Sequence, residues 1–282
     1  KMGLLRGRLN KFLSKGSVSE CLISGGVYLF LSAGSVAVLF PLFWMLSTSL
    51  KDPGNIYLDP PQWIPDPIVW GNYSDIFVQW PFAVYLRNTV LITVLNIVGV
   101  VLSSSLVAYS FARLRWKYRD VFFVVCLATM MLPSQVTLVP TFLIYVKLGW
   151  LDSFYPLIVP AFFAQPFNVF LLRQFFKTIP KSLEEAARID GCGYFRSFRT
   201  IIMPLAKPAI LTVGLFTFIG VWNDFMGPLI YISSEEKRTL ALALSYFSQT
   251  FFAGVHTHHL MAASLIVMLP CIIAFVFFQR YF

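Results

Sequence analysis

The side chains that could do chemistry in this sequence are few, and the polar ones stand inside long uncharged runs. Gln165 and Asn168 share one run, and Trp222, Asn223 and Asp224 follow one another in a second. A polar group is costly in an apolar surrounding and is often functional where it occurs there. Amides, a carboxylate and an indole ring can hydrogen-bond to and stack on a bound ligand. They can equally tie helices together or cap a turn, and both interpretations stay open.

No residue pattern indicates catalysis. The sequence has no Ser/His/Asp or Cys/His arrangement, and no G-x-x-x-x-G-K-[ST] loop that could hold the phosphates of ATP. His256, His258 and His259 lie within four residues and raise the question of a metal site. Because no carboxylate or cysteine is close to them in sequence, we expect a solvated loop and no bound metal.

The composition indicates a membrane protein. Of 282 residues, 57% are hydrophobic and 12% are charged, whereas a soluble domain is roughly 25% charged. This excludes a typical soluble enzyme and a disordered chain. The net charge of +9 could suggest nucleic acid, but no nucleic-acid-binding motif accompanies it, so we predict no such partner.

Runs of about 20 apolar residues predict six membrane-spanning helices. We expect an all-α membrane protein in which the whole chain, 1–282, is one transmembrane domain. The first run is too long for a signal peptide and is expected to be a permanent anchor. The approximate spans are 21–47, 88–112, 121–146, 153–172, 208–232 and 260–279.

The distribution of positive charge predicts the orientation. Seventeen of the 22 Lys and Arg residues fall in the N-terminal segment, in the loops after the second and fourth spans, and at the C-terminal end. Lys and Arg are retained on the cytoplasmic side of a membrane, so both termini are predicted to be cytoplasmic. Arg113, Arg115, Lys117 and Arg119 are expected to form a positive-inside anchor and not a ligand site.

The cytoplasmic loop 173–207 carries the most specific pattern. Ser182 and Glu185, three residues apart, predict a capping box at the start of a short helix. Gly191 predicts the left-handed residue that ends it. The helix then has a narrow apolar face, made of small residues that permit close approach by another surface: Leu183, Ala186 and Ala187.

This loop resembles the EAA signature of the membrane permeases of ATP-binding cassette importers. The match consists of Glu185-Ala186-Ala187, Gly191, Ile201 and Met203-Pro204, with Met203 and Cys192 replacing the usual Leu and Ala. The resemblance extends over nearly the whole chain, which is similar to the carbohydrate-importing subfamily of these permeases. Four further features carry this resemblance: the six spans, Met131-Leu132-Pro133, the Asp190-Gly191 pair and Val221-Trp222-Asn223-Asp224-Phe225.

The resemblance implies a non-catalytic transport subunit in a prokaryotic plasma (inner) membrane. Its partners would be a second permease subunit, two ATPase subunits or domains that hold ATP and Mg, and an extracytoplasmic solute-binding protein that delivers a sugar. No cofactor or metal is expected on this chain. The loop would contain a coupling helix that docks on the ATPase through Glu184, Glu185, Ala186, Ala187, Asp190, Gly191, Ile201 and Pro204. The candidate substrate path consists of Gln165, Asn168, Trp222, Asn223 and Asp224.

Three alternatives compete with this interpretation. A secondary transporter driven by an ion gradient normally needs ionisable groups in its spans, and Asp224 is the one acid near a span. Paired inverted repeats, which many such transporters contain, are not apparent. A non-transporting scaffold would have no reason to carry a capped EAA helix. An importer permease for a solute other than a sugar remains the third alternative.

Overall fold

The computed structural model describes residues 15–251 and 256–279, and this part of the chain is helical without any strand. Four of its helical stretches are long and apolar enough to cross a membrane: Ile23–Ser49, Phe82–Arg113, Tyr155–Thr178 and Thr257–Phe278. The number is six if two bent pairs each count as one span, Arg119–Met131 with Ser134–Lys147 and Tyr194–Leu205 with Lys207–Trp222. Both termini, whose cytoplasmic location the charge pattern predicts, lie outside the described residues. The helices are α1 Lys15–Ser49, α2 Gly71–Gln79, α3 Phe82–Arg113, α4 Arg119–Ala128, α5 Ser134–Lys147, α6 Tyr155–Ile158, α7 Pro166–Thr178, α8 Ser182–Ile189, α9 Tyr194–Ser197, α10 Met203–Leu205, α11 Lys207–Trp222, α12 Met226–Tyr231, α13 Leu240–Phe251 and α14 Thr257–Phe278.

Three of the predicted spans are divided. The run 121–146 becomes α4 with a short 3-10 turn, followed by α5 at an angle of 98°. Pro133 precedes α5, and proline has no N–H and keeps the residue before it out of the helical conformation. The run 153–172 is interrupted between α6 and α7, and the run 208–232 between α11 and α12.

Polar side chains of α3 hydrogen-bond to the backbone that these interruptions expose. Asn96 Nδ2 donates to the carbonyl oxygen of Leu157 at 2.9 Å. Ser103 Oγ donates to the carbonyl oxygen of Ala161 at 3.1 Å and accepts the N–H of Ala164 at 3.1 Å. Hydrocarbon offers no hydrogen-bond partner, so irregular backbone at membrane depth needs partners from the protein. Helix α3 therefore stabilises the broken α6–α7 segment.

Helix α3 also packs tightly against this segment at Gly99. A Cβ atom at Gly99 would lie 2.9 Å from two ring carbons of Phe162 and 3.2 Å from the carbonyl carbon of Ala161. Only glycine fits this contact without a shift of its neighbours. Around it, buried apolar side chains of α3, α7 and α11 pack together, among them Val100, Ala108, Val169, Leu172, Phe176 and Val213.

Asp152 joins two connections near the N-terminal end of α3. Its carboxylate accepts the N–H groups of Ser233 and Ser234 at 3.0 and 2.9 Å, and it also accepts the Ser234 hydroxyl. Lys237 Nζ lies 2.8 Å from Asp152 Oδ2. These donors, the Lys237 contact first, hold the pKa of the Asp152 carboxyl well below its ordinary value.

Asp152→Asn is expected to lower the thermal midpoint of unfolding at pH 7, because the amide cannot reproduce the charged contact with Lys237. Hydrogen bonds to charged groups contribute roughly 1.5–3 kcal/mol, and this pair is partly exposed, so we expect a loss of about 1–2 kcal/mol. A lowered carboxyl pKa contributes its full stabilisation above the ordinary Asp pKa of about 3.9. That contribution decreases as the pH falls from about 3.9 towards the lowered pKa of the folded state. The difference in thermal midpoint between Asp152→Asn and the wild type should therefore be smaller near pH 3 than at pH 7. Thermal unfolding in detergent measures this, with the exposed Asp59→Asn as the control.

Candidate functional site

Helix α8 ends as the sequence predicts. Gly191 has a φ of 78°, a conformation that glycine adopts without strain. The N–H of Cys192 donates to the carbonyl oxygen of Ala187 at 2.8 Å, and the N–H of Gly191 donates to that of Arg188 at 3.0 Å. This pair of bonds is a Schellman motif. The predicted stop at Gly191 is confirmed.

The start of α8 differs from the prediction. Lys181 occupies the N-cap position, with helical φ and ψ values of −66° and −29°. Ser182 is therefore already inside the helix, and no side chain makes a capping hydrogen bond. The predicted capping box between Ser182 and Glu185 is wrong for this reason. Two acidic residues, Glu184 and Glu185, occupy the first turn, where negative charge stabilises the positive end of the helix dipole.

The two neighbouring glutamates of α8 have opposite environments. Glu184 is buried, its Oε1 accepts the hydroxyl of Tyr109 at 2.8 Å, and its Oε2 lies 3.1 Å from Arg113 Nε. Glu185 is exposed. Arg113 of the predicted positive-inside anchor is not at the surface, because only 2% of its side chain is exposed. The end of α7 and the start of α8 cover the last turn of α3.

The outward surface of this region is partly apolar. Ile189 is 88% exposed, Phe195 is 68% exposed and Leu183 is 43% exposed. Ala186 and Asp190 are also exposed, while Ala187 is half-buried. A contiguous exposed apolar patch is typical of a surface that binds a partner, so these residues are candidates for a docking surface. The sequence analysis missed Ile189, although a large apolar residue beside the Asp190-Gly191 stop was a usable signal.

The remaining predicted docking residues, Ile201 and Pro204, lie in the segment that leads to the next long helix, α11. Ile201 is half-buried in a π-helical turn, Phe198–Ile202, and Pro204 is exposed in α10. Phe198 packs on Tyr109 of α3, with ring centroids 5.1 Å apart. The helical segment 194–205 then meets α11 at 79°. The whole loop is therefore fastened to α3 at the same place as α8.

A second candidate site is a cavity of about 220 Å³ between α3, α6 and α12. Gln165 and Asp224 both line it, and so does Asn96, which the sequence analysis did not single out. Asn168 donates to Gln165 Oε1 at 2.9 Å. Asp224 Oδ1 accepts the N–H of Gly227 at 3.1 Å, at the start of α12. The structure thus places two of the five predicted path residues, Gln165 and Asp224, at one cavity, with Asn168 bonded to Gln165.

The remaining two path residues lie apart from this cavity. Trp222 is 3% exposed, and its Nε1 donates to the carbonyl oxygen of Val267 in α14 at 3.0 Å. Asn223 is exposed, and its Nδ2 donates to the carbonyl oxygen of Ile219 in its own helix at 2.9 Å. Trp222 therefore packs α11 against α14.

Comparison with known proteins identifies the family. Residues 99–282 match the family described as "Binding-protein-dependent transport system inner membrane component". This chain belongs to that family. It is a permease subunit of an ATP-binding cassette transporter and a multi-pass membrane protein. The matched residues of the permease include the C-terminal part of α3 from residue 99, all of α8 and the divided helices.

Relatives of this permease cover nearly its full length. It is 35% identical to a probable ABC transporter permease of Bacillus subtilis, over 91% of this chain and 84% of the relative. It is 31% identical to the diacetylchitobiose uptake system permease of Streptomyces coelicolor, over 87% and 88%. It is 32% identical to the sn-glycerol-3-phosphate transport system permease of Pectobacterium atrosepticum, over 90% and 92%.

A solved structure shares the fold of this permease. It is a bacterial ABC transporter involved in the import of the acidic polysaccharide alginate, and one of its chains superposes with a TM-score of 0.82 at 26% identity. The match covers 94% of this permease and 98% of that chain. The architecture described above is therefore that of a known importer permease.

The histidines of the permease are not in a solvated loop. His258 and His259 are 3% and 5% exposed in the first turn of α14, and His259 packs edge-on against Trp80 with ring centroids 5.4 Å apart. Asp75 Oδ2 of α2 lies 3.7 Å from His259 Nε2. The prediction of solvated side chains is wrong, because α2 folds back against α14. Within the described ranges, no three His, Cys, Asp or Glu side chains are arranged to hold a metal ion.

Proposed function

We propose that this permease forms, with a second permease subunit, the translocation path of an ATP-driven importer for a sugar or oligosaccharide. Two ATPase subunits or domains would hold ATP and Mg and drive the cycle from the cytoplasm. An extracytoplasmic solute-binding protein would deliver the solute. The relatives named for diacetylchitobiose uptake and alginate import support this proposal.

The observation that carries the proposal is the surface of α8. This helix presents Glu185, Ala186 and Ile189 outward while its buried side is fastened to α3. A short rigid helix with an exposed apolar and acidic face is suited to dock into a cleft of another subunit. In the proposed complex that cleft belongs to the ATPase, and Glu185, Ala186, Ala187 and Asp190 contact it.

The proposed topology places α8 in the cytoplasm between the fourth and fifth spans. Each divided segment then counts as one span, which gives six spans with both termini cytoplasmic in a prokaryotic plasma (inner) membrane. The excess of Lys and Arg in the loop that contains α8 supports this orientation. Movement of α8 would rock the spans between outward-open and inward-open arrangements.

The relative named for sn-glycerol-3-phosphate transport makes a small anionic solute the second candidate. The cavity between α3, α6 and α12 favours a neutral solute, because its charged lining residue is the acidic Asp224. Its volume of about 220 Å³ is below the roughly 300–1,000 Å³ of typical ligand pockets. We therefore expect the partner permease to complete the path.

The proposed function is tested by purifying the tagged chain gently from its native membrane and identifying the proteins that accompany it. We expect a Walker-type ATPase, a second permease and a solute-binding protein. The binding protein is then screened against neutral oligosaccharides and sn-glycerol-3-phosphate, and the bound solute is used for uptake into proteoliposomes with ATP inside. Uptake that requires an ion gradient and not ATP would instead identify a secondary transporter.

Asp224→Asn tests the proposed substrate path. The asparagine oxygen can still accept the Gly227 N–H, so the turn before α12 should be retained and the thermal midpoint unchanged. Loss of the charge should raise KM for uptake if the carboxylate contacts the solute. Asp224→Ala is the matched comparison, since it removes the hydrogen bond as well and should lower the thermal midpoint. An unchanged KM in Asp224→Asn would leave Asp224 with the structural role alone.

A further inference from the structure

The cytoplasmic end of α3, as oriented above, carries a buried charged cluster of Tyr109, Arg113 and Glu184, of which only Glu184 was among the predicted docking residues. Tyr109 and Arg113 are four residues apart on α3 and therefore lie on one face of the helix. Both contact Glu184 of α8, at 2.8 Å from the Tyr109 hydroxyl and 3.1 Å from Arg113 Nε. The side chains of Arg113 and Glu184 are only 2% and 5% exposed.

Arg113 extends this cluster to a third helix. Its Nη2 donates to the carbonyl oxygens of Phe176 and Ile179 at 2.6 Å each. These carbonyls belong to the last turn of α7 and the residue after it, where a helix leaves carbonyl groups without a partner in the helix. One guanidinium group therefore joins the ends of α3 and α7 to the start of α8.

A buried ion pair is not an efficient way to stabilise a fold. The cost of removing two charges from water often exceeds their mutual attraction, and an apolar replacement of the same size is often as stable. What such a pair supplies is a defined geometry, because either charge is unfavourable without the other. Here that geometry fixes the orientation of an eight-residue helix relative to two long helices.

We propose that Glu184, Arg113 and Tyr109 form the rigid link through which a displacement of α8 is transmitted to α3 and α7. Glu184 is then a positioning residue that acts inside this chain, whereas Glu185, the next residue, faces the ATPase. The proposal rests on the proposed function, because it assumes that an ATPase moves α8. Breaking the link leaves the docking surface in place and disconnects it from the spans.

The test uses the whole importer in proteoliposomes, with its ATPase and binding protein. Glu184→Gln removes the charge, and Arg113→Lys removes the guanidinium group, whose Nε and Nη2 contact Glu184 and the two carbonyls separately. Tyr109→Phe removes one hydroxyl and leaves no charge unpaired. We expect each variant to retain the ATPase in the complex and to hydrolyse ATP, while solute transported per ATP falls by about tenfold, within the usual range of coupling between sites. The exposed Arg115→Lys is the matched control.

The combined effect of two substitutions on solute transported per ATP distinguishes a shared link from a general loss of stability. If the residues act as one link, the double variant Glu184→Gln/Arg113→Lys transports as much solute per ATP as the poorer single variant. Unchanged solute per ATP in all three single variants would overturn the proposal. Loss of the ATPase from the complex would also overturn it, because the cluster would then maintain the docking surface itself. Wild-type complex that couples no uptake to ATP would refute the proposed function instead.

Discussion

Replacing Glu185 with lysine should abolish ATP-driven uptake while the chain still folds. Glu185 is exposed in the first turn of α8, so its replacement breaks no buried contact. Lysine would place a positive charge at the positive end of the helix dipole and against the basic group of the ATPase that the family resemblance implies. An exposed ion pair alone contributes only about 0–1 kcal/mol. We therefore expect Glu185→Ala to uncouple the importer mainly by altering the docked geometry.

Uptake and ATP hydrolysis are measured in the same proteoliposomes, so that loss of docking is separated from loss of the path. The matched control is Lys117→Glu, which reverses an exposed charge in the connection between α3 and α4, outside α8. It should transport normally. Wild-type uptake by Glu185→Lys would show that α8 is not the coupling element, and the function proposed for this surface would have to be withdrawn.

The features of the permease that could be predicted from sequence are those set by local chemistry. Apolar runs predicted most of the long helices, because a lipid-exposed helix must satisfy its own backbone and present apolar side chains. Gly191 predicted the end of α8, because a left-handed residue follows from its missing side chain. Both inferences need only the residues of one short segment.

Features that depend on a distant segment could not be predicted in the same way. Glu184 and Glu185 are identical in type and adjacent in sequence, yet one is buried and one is exposed because α3 lies on one side of α8. The basic run predicted only that Arg113 belongs to a positive-inside anchor, and it gave no sign that α7 and α8 cover this side chain. The local sequence around a residue does not show which distant helix will cover it in the folded protein.

The divided spans show an intermediate case. Pro133 and the prolines of the fourth run indicate breaks, but the angle of 98° between α4 and α5 follows from packing. The backbone exposed at the breaks of α6 and α7 is tolerated because Asn96 and Ser103 of α3 bond to it. Asn96 was not recognised as a site residue, although an amide in the middle of an apolar helix was the signal.

Gly99→Leu is expected to have the largest effect on folding. The new Cβ alone would meet the Phe162 ring at 2.9 Å and the Ala161 carbonyl carbon at 3.2 Å, and the rest of the leucine would find no space. Overpacking of a core typically costs about 1–3 kcal/mol. Because the displaced 3-10 segment, Val159–Phe162, precedes Gln165, uptake should fall together with the thermal midpoint.

The matched control for this change lies on α11. A Cβ at Gly220 would meet no atom within 4 Å, and Gly220 is exposed. Gly220→Leu should therefore leave the thermal midpoint unchanged or raise it, since glycine in a helix is less favourable than alanine by roughly 0.5–1 kcal/mol. A Gly99→Leu variant with the thermal midpoint of the wild type would mean that α3 does not press against this turn. The 3-10 segment Val159–Phe162 would then lie farther from α3, held by the hydrogen bonds of Ser103. Tight packing of α3 on α6–α7 would in that case not determine the shape of the cavity.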